Sequence, residues 1–182
     1  LKIHSPEKRI IAKKAVELIE PGTMAFLGIS TINLEIAKLI YQKNLNITLV
    51  TNMIDIMKLF TNESSTRLVF LGGSFNRARD GFLGSITIEQ IKHYKFDVSF
   101  LGVVGIDVYD GKVTTYEVDD GLTKKEVINC SKKSYIVAQK VKLKQDGNYM
   151  FGHIADFTGF IFEDEIQDNL KERIVRYGLE II

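Results

Sequence analysis

Short apolar runs recur along this chain at the spacing expected for strands separated by helices. Each run is continuous rather than alternating, which is typical of parallel strands that are buried on both faces of a sheet. The runs predicted as strands are Met24–Leu27, Ile47–Val50, Leu68–Leu71, Val98–Leu101 and Tyr135–Ala138. Between the runs, apolar residues recur at helical spacing, which indicates right-handed crossover helices. The pattern therefore predicts an α/β fold with a mostly parallel sheet.

Capping residues and chain breakers mark the predicted helices. Ser5 can cap a first helix that Pro21-Gly22 ends, and Thr31 can cap a second helix that continues to Asn44. A helix after Thr115 carries two acidic residues in its first turn, where the helix dipole favours negative charge. A loop with two arginines is predicted after the Gly-Gly turn at 72–73. Further helices are predicted over residues 53–60, 85–93 and 166–178, and further strands over residues 158–162 and 179–182.

The candidate binding site consists of the residues that follow the strands, because open parallel sheets bind ligands beyond the carboxyl ends of their strands. Ser30 and Thr31 follow the first strand at the start of a predicted helix, where free N–H groups and the helix dipole attract anions. Asn52 follows the second strand and can donate and accept hydrogen bonds toward sugar hydroxyls. Gly72-Gly73 follows the third strand and lets the main chain approach a ligand closely, and Gly102 follows the fourth.

Positive charge for an anionic ligand can come from Lys142, which lies shortly after the fifth strand, and from Lys124. Lys124 belongs to the predicted helix that begins with the acidic pair Asp119-Asp120. The same candidates also have an ordinary structural interpretation. Ser30 and Thr31 can be plain helix caps, the paired glycines a tight turn, and the lysines solvated surface. The sequence pattern alone leaves both interpretations open.

Composition narrows the class of protein. The 182 residues are 45% hydrophobic and 26% charged, which is ordinary for one globular domain, and we predict a single domain over residues 1–182. A net charge of +1 gives no strongly basic surface, so direct nucleic-acid binding by this segment is disfavoured. No apolar run approaches the roughly 18 residues of a membrane span. Leu1–His4 lacks the apolar segment of a signal peptide and the lone Cys130 cannot form an internal disulfide, so we predict a cytoplasmic location.

Nine short motifs occur in the order and spacing of a known family. They are Lys8–Ala12, Glu20–Gly22, Phe26–Leu27, Val50–Asn52, Leu71–Gly73, Phe82–Gly84, Phe100–Gly102, Gly105–Asp107 and Thr114–Thr115. Through these motifs most of the chain resembles the C-terminal effector domain of DeoR-type transcriptional regulators. The resemblance implies a Rossmann-like three-layer sandwich related to ribose-phosphate isomerases, glucosamine-phosphate deaminases and CoA-transferases. It also implies a sugar-phosphate effector, no cofactor, a homo-oligomer, and operator DNA bound only through an N-terminal helix-turn-helix that is absent from this chain.

Three acidic positions of the family pattern are replaced in this chain. Gly28 begins the first loop, Val104 precedes the Gly-Ile-Asp turn, and Gln139 begins the loop after the fifth strand, where relatives carry acidic residues. The acidic pair that the family places ahead of its lysine is kept as Asp119-Asp120, with Lys124 at the expected distance. The replacements change which ligand hydroxyls the site can recognise.

The resulting hypothesis is the effector-sensing domain of a regulator of sugar metabolism, which binds a phosphorylated sugar or a similar anionic metabolite. One alternative is an isomerase-like enzyme, which would depend on Asp107 because Val104 stands where related isomerases use a carboxylate. Another is an oligomerisation domain that has lost ligand binding, with Ile29 plugging the cleft. No metal site is expected, because the histidines lack a partner at metal-ligand spacing; they are His4, His93 and His153.

Overall fold

A parallel sheet forms the middle layer of the structure, a computed structural model that describes residues 5–182. His4 and the rest of the Leu1–His4 start lie outside the described residues. The strands of this sheet are β1 (Met24–Leu27), β2 (Thr48–Thr51), β3 (Arg67–Phe70), β6 (Phe96–Leu101), β9 (Ser131–Val137), β11 (Gly159–Ile161) and β12 (Glu180–Ile181). The seven strands lie in the order β12-β11-β9-β6-β1-β2-β3, and every neighbouring pair is parallel. The predicted α/β fold with a mostly parallel sheet is confirmed.

Helices cover both faces of the sheet. They are α1 (Pro6–Val16), α2 (Thr31–Gln42), α3 (Ile54–Leu59), α4 (Ser85–Ile91), α5 (Val118–Asn129) and α6 (Asp168–Arg176). Buried side chains of α1, α2 and α3 pack in one apolar cluster, and those of α4, α5 and α6 pack in a second. Successive residues of β1 point to opposite clusters, since Ala25 and Leu27 belong to the first and Phe26 to the second. Burial on both faces explains why the strand runs are continuously apolar.

Two small antiparallel sheets lie outside the main sheet. One is a hairpin of β4 (Ser74–Asn76) and β5 (Gly81–Leu83), in the segment for which a loop was predicted. The other joins β7 (Gly105–Ile106), β8 (Lys112–Thr115) and β10 (Tyr149–His153) in the order β10-β8-β7. Within residues 5–182 no helix is long and apolar enough to cross a membrane.

The order of the strands places a crevice between β1 and β6. From β1 the chain moves outward through β2 to β3, then returns to β6 on the other side of β1 and continues outward to β12. The direction of the connections therefore reverses between β1 and β6. In open parallel sheets the loops diverge at such a point and leave a ligand-binding crevice at the carboxyl ends of the strands.

Candidate functional site

A cavity of about 510 Å³ lies at the carboxyl ends of β1, β6 and β9. Three loops that follow these strands supply much of its wall, and residues of α1, α3, α5 and the β4–β5 hairpin complete it. The lining residues are Lys8, Ile29, Ser30, Thr31, Ile32, Leu34, Met53, Asp55, Ala78, Arg79, Asp80, Gly102, Val103, Val104, Tyr116, Lys124, Val137, Ala138, Gln139 and Lys142. The cavity is large enough for a small phosphorylated metabolite.

The first turn of α2 forms one wall of the cavity. The Ser30 hydroxyl accepts hydrogen bonds from the N–H groups of Ile32 at 3.2 Å and Asn33 at 3.5 Å, so Ser30 is the N-cap. The prediction that Thr31 caps this helix is wrong, because Thr31 is the first helical residue. The buried Asn33 amide donates to the Gly28 carbonyl and to a β6 carbonyl, both at 2.9 Å. These bonds hold the loop after β1 against β6.

Two ammonium groups line the cavity close to this turn. Lys8 of α1 donates from Nζ to the Thr31 hydroxyl at 2.8 Å. Lys142 lies in a short 3-10 helix, Lys140–Lys144, that follows β9. Burial lowers the pKa of Lys142, and the nearby positive charge of Lys8 lowers it further. Within residues 5–182 neither lysine forms an ion pair with a carboxylate, so the start of α2 is flanked by positive charge without a neutralising partner.

The opposite side of the cavity contains a buried ion pair. Lys124 and Asp120 lie one turn apart on α5, with Nζ and Oδ2 at 2.8 Å and with side chains only 6% and 2% exposed. Burial lowers the pKa of Lys124, although the charge of Asp120 opposes that change. Burial also raises the pKa of Asp120, but the charge of Lys124 and hydrogen bonds from Lys124 and Thr115 outweigh it, so the net pKa is lowered. The Lys124 ammonium is therefore already paired with the Asp120 carboxylate.

Arg79 and Asp80 reach the cavity from the turn between β4 and β5. The Arg79 guanidinium donates to the Thr115 hydroxyl at 3.2 Å and pairs with Glu117 at 3.4 Å, which fixes it beside α5. Asp80 has a left-handed backbone with a φ of 58°, and its carboxylate accepts from the Asp55 N–H at 3.3 Å. Burial raises the pKa of Asp80, and the adjacent charge of Asp55 adds to that rise. The hairpin thus brings a carboxylate and a fixed cation to the cavity wall.

The structure brings together five of the predicted site residues. Ser30, Thr31, Gly102, Lys124 and Lys142 all line the cavity. A side chain at Gly102 would collide with Ser30, because an added Cβ would lie 2.8 Å from the Ser30 Cβ. Glycine at this position therefore lets the loop after β6 approach the start of α2.

The other four predicted site residues lie outside the cavity lining. Asn52 is buried and donates to the Phe82 carbonyl at 2.9 Å. The Gly72 carbonyl accepts from the Thr87 hydroxyl of α4 at 2.6 Å. A Cβ on Gly73, which has a φ of 152°, would collide with the same Thr87 hydroxyl. The last of the four, Asp119, is exposed in the first turn of α5.

The three positions that lack the family's carboxylates differ in their relation to the cavity. Val104 and Gln139 line it, and Gly28 contacts β6, where an added Cβ would lie 3.3 Å from a Leu101 methyl carbon. Ile29 is 8% exposed and packs against Gly81 at the start of β5. Ile29 is thus part of the wall, and the cavity beside it is open.

Among the polar lining residues that sequence reasoning missed are Lys8, Arg79 and Asp80. Lys8 comes from α1, which precedes the first strand, and the loop residues Arg79 and Asp80 were not recognised as site residues. Of these three, Arg79 and Asp80 carried a signal, since charged residues at the tip of a loop after a strand are candidates for ligand contact.

Comparison with known proteins identifies the family. Residues 3–164 match the family model described as the DeoR C terminal sensor domain. The chain belongs to this family. It is 26% identical to the HTH-type transcriptional repressor GlcR of Bacillus subtilis over 182 residues, covering 100% of the chain and 69% of that protein. It is 28% identical to the glycerol-3-phosphate regulon repressor of Haemophilus influenzae over 173 residues, covering 93% of the chain and 66% of that protein.

Solved structures confirm the fold of this sensor domain. Ribose 5-phosphate isomerase A from Methanocaldococcus jannaschii matches with a TM-score of 0.52 and 16% identity, over 74% of this chain and 52% of that one. The eIF2B delta subunit from Chaetomium thermophilum matches with a TM-score of 0.62 and 12% identity, over 88% of this chain and 56% of that one. At these identities the likeness concerns the fold. The curated relatives are transcriptional repressors, so the family is regulatory rather than enzymatic, and the sensor domain spans about two-thirds of their length.

Two of the chemical expectations from the sequence concern Asp107 and metal binding. Asp107, on which an isomerase-like enzyme would depend, accepts from the N–H groups of Tyr109 at 2.9 Å and Asp110 at 3.3 Å. These bonds shape the turn between β7 and β8. Among residues 5–182, no cluster of three histidine, cysteine or acidic side chains is arranged to hold a metal ion.

Proposed function

We propose that this domain binds a phosphorylated sugar or a similar anionic metabolite in the cavity, as the effector sensor of a repressor of sugar metabolism. The observation that carries the proposal is the pair of lysines beside the start of α2. Lys8 and Lys142 line the cavity, are partly buried, and form no ion pair within residues 5–182. A cavity with unneutralised positive charge favours an anion, because burying cations without a counter-charge costs free energy that an anionic ligand offsets.

The start of α2 adds to this preference. The free N–H groups and the dipole of a helix N-terminus stabilise negative charge, by about 0.3–1 kcal/mol for an exposed site. A phosphate monoester carries about −1.5 to −2 charges near neutral pH and accepts several hydrogen bonds. In the proposed complex the phosphate accepts from the main-chain N–H of Thr31 and from both lysines, because the Ile32 N–H already donates to the Ser30 hydroxyl. The Ser30 hydroxyl can donate as well, since in capping it serves as an acceptor.

The remaining wall suits the body of a sugar. Gln139, Arg79 and Asp80 present amide, guanidinium and carboxylate groups to its hydroxyls, and Val103 and Val104 offer an apolar surface to its carbon skeleton. A relative named as a glycerol-3-phosphate regulon repressor supports an effector that carries a phosphate. Operator binding belongs to a helix-turn-helix segment that precedes this domain in the intact regulator. Homo-oligomer assembly and a cytoplasmic location remain predictions.

Thermal unfolding with a panel of ligands tests the proposal. The panel contains glycerol 3-phosphate, ribose 5-phosphate and hexose phosphates, each paired with its unphosphorylated form. A ligand at about 100 times its Kd adds roughly 2.7 kcal/mol of stability. For a domain of this size that raises the Tm by about 5–11 °C. The proposal fails if no phosphorylated compound raises the Tm, or if each unphosphorylated form raises it equally.

A pair of lysine variants controls for charge. Lys142→Met removes the partly buried ammonium that lines the cavity, whereas Lys144→Met removes an exposed ammonium from the same short helix. We expect the first variant to lose about tenfold or more in affinity, since a charge-assisted hydrogen bond contributes about 1.5–3 kcal/mol. The second variant should bind like the wild type. Equal losses in the two would mean that general surface charge attracts the ligand.

A further inference from the structure

The first turn of α1 is attached to the cavity wall by two side chains. Lys8 donates to the Thr31 hydroxyl at 2.8 Å, and the Gln139 amide donates to the Glu7 carboxylate at 3.5 Å. Thr31 and Gln139 both line the cavity. A ligand that rearranges either of these residues therefore acts directly on the start of α1.

The second half of α1 is held in a different way. Ile11 and Ala15 are fully buried in the same apolar cluster as α2, and Lys14 donates from Nζ to the Phe162 carbonyl at 2.9 Å. None of these three residues lines the cavity. The helix is thus anchored by apolar packing near its end, while its first turn depends on polar contacts with the cavity wall.

Lys8 has unused hydrogen-bonding capacity that suits an anion. An ammonium carries three donors, and the Thr31 hydroxyl accepts from one of them. Of the cations that line the cavity, Lys124 and Arg79 already contact carboxylates, whereas Lys8 and Lys142 contact none within residues 5–182. Lys8 is also the lining cation that belongs to α1. In a family defined as a C-terminal sensor domain, α1 is the described helix nearest in sequence to the segments that precede the domain.

We infer that Lys8 is a direct ligand of the effector and that, through Lys8, an anion in the cavity orders the first turn of α1. The inference rests on the proposed function. In the free domain the ammonium bonds to Thr31, and in the complex it bonds to the anion at the start of α2. An occupied cavity then fixes the direction in which the chain enters the domain. Coupling of this kind requires that the ligand binds the ordered state of α1 more tightly than the disordered one.

Hydrogen exchange on the 182-residue chain tests the inference, with inorganic phosphate and glycerol 3-phosphate as probes. Lys8→Met removes the ammonium and keeps the apolar stem, and Lys13→Met is the matched control because Lys13 is exposed on the same helix. For the wild type we expect binding of a probe to slow exchange of the amides in residues 9–12. Lys8→Met should weaken binding about tenfold or more, the usual effect of losing a charge-assisted hydrogen bond. In this variant, saturating probe should also leave the exchange rate of the amides in residues 9–12 unchanged.

Lys142→Met separates coupling from affinity. This variant also loses an ammonium from the cavity, but at saturating probe it should still slow exchange in α1, because Lys8 is intact. Lys13→Met should match the wild type in both measurements. The inference is overturned if Lys8→Met binds a probe as tightly as the wild type, or if saturated Lys8→Met protects residues 9–12 normally. If no phosphorylated compound, including those of the thermal-unfolding panel, binds the wild type, the anion site itself is refuted and the inference falls with it.

Discussion

Substitution of Lys124 by methionine tests whether the buried pair on α5 is primarily structural. Methionine keeps much of the side-chain volume and removes the charge, which leaves the Asp120 carboxylate in a site only 2% exposed. Two partners of Asp120 remain, since the Thr115 hydroxyl donates to it at 2.6 Å and Arg79 lies 3.8 Å away. In the variant the buried Asp120 carboxylate therefore loses one stabilising partner but keeps two others.

Breaking a buried ion pair by removing one partner costs about 3–5 kcal/mol. We expect a loss of about 3 kcal/mol here, at the lower end, because Thr115 and Arg79 continue to stabilise the carboxylate. For a domain of this size the Tm falls by about 6–12 °C. Lys125→Met is the matched control, because Lys125 is the exposed neighbour on the same helix, and it should change stability by less than about 0.5 kcal/mol.

Urea unfolding at several pH values supplies the measurement. The pKa of Asp120 is lowered in the folded protein, so its ionised form contributes stability above the unfolded pKa, about 3.9. That contribution is lost as the pH falls through the folded value. The difference between wild type and Lys124→Met should therefore narrow in acid, where Asp120 becomes protonated. The double variant with Asp120→Asn should recover part of the loss at pH 7. A loss below about 1 kcal/mol, or strictly additive losses in the double variant, would refute a coupled buried pair.

Two further predictions concern local structure. Ser30→Ala should lower the free energy of unfolding by about 1 kcal/mol, because it removes the α2 cap. Thr31→Ala should lower it by less, and urea titration that shows the reverse would contradict the assigned cap. Gly73→Ala should cost about 1–3 kcal/mol, because a Cβ would collide with an α4 hydroxyl at a φ of 152°. Gly72→Ala should be neutral or stabilising by up to about 1 kcal/mol, because nothing lies within 4 Å of an added Cβ. Equal Tm losses in Gly72→Ala and Gly73→Ala would contradict this explanation.

The main sheet could be predicted because burial on both faces leaves a continuous apolar signal in the sequence. The run Tyr135–Ala138, which covers the last three residues of β9 and the residue after it, shows this well, since its residues alternate between the two apolar clusters. The β4–β5 hairpin left no such signal. Its strands are three residues each, and Phe75 is 53% exposed, so there is little apolar periodicity to read. Its position depends on the close approach of Gly81 to Ile29, a long-range contact that local pattern does not encode.

The site was predictable only where it follows from strand order. Ser30 and Gly102 follow β1 and β6, which flank the point where the connections reverse, and both line the cavity. Gly72 follows β3, the edge strand of the sheet, where its carbonyl accepts from the Thr87 hydroxyl of α4, and it lies outside the cavity lining. The sequence identified the strands but not their order, so every strand end was an equal candidate. Lys8 was beyond reach for a related reason, because its position depends on how α1 packs against α2.

The four cations of the cavity differ in how much of their charge a ligand can use. Lys124 and Arg79 contact carboxylates, so an anion that approached them would compete with partners already in place. Lys8 and Lys142 contact none within residues 5–182, and their mutual repulsion contributes to the lowered pKa of Lys142. An anion between them relieves that repulsion and adds attraction to each. The gain in electrostatic free energy is therefore larger for an anion at the α2 end of the cavity, while the ion pairs at the α5 end maintain the shape of the wall. Substitution of Lys124 should therefore mainly lower the stability of the domain, whereas substitution of Lys142 should mainly lower its affinity for the ligand.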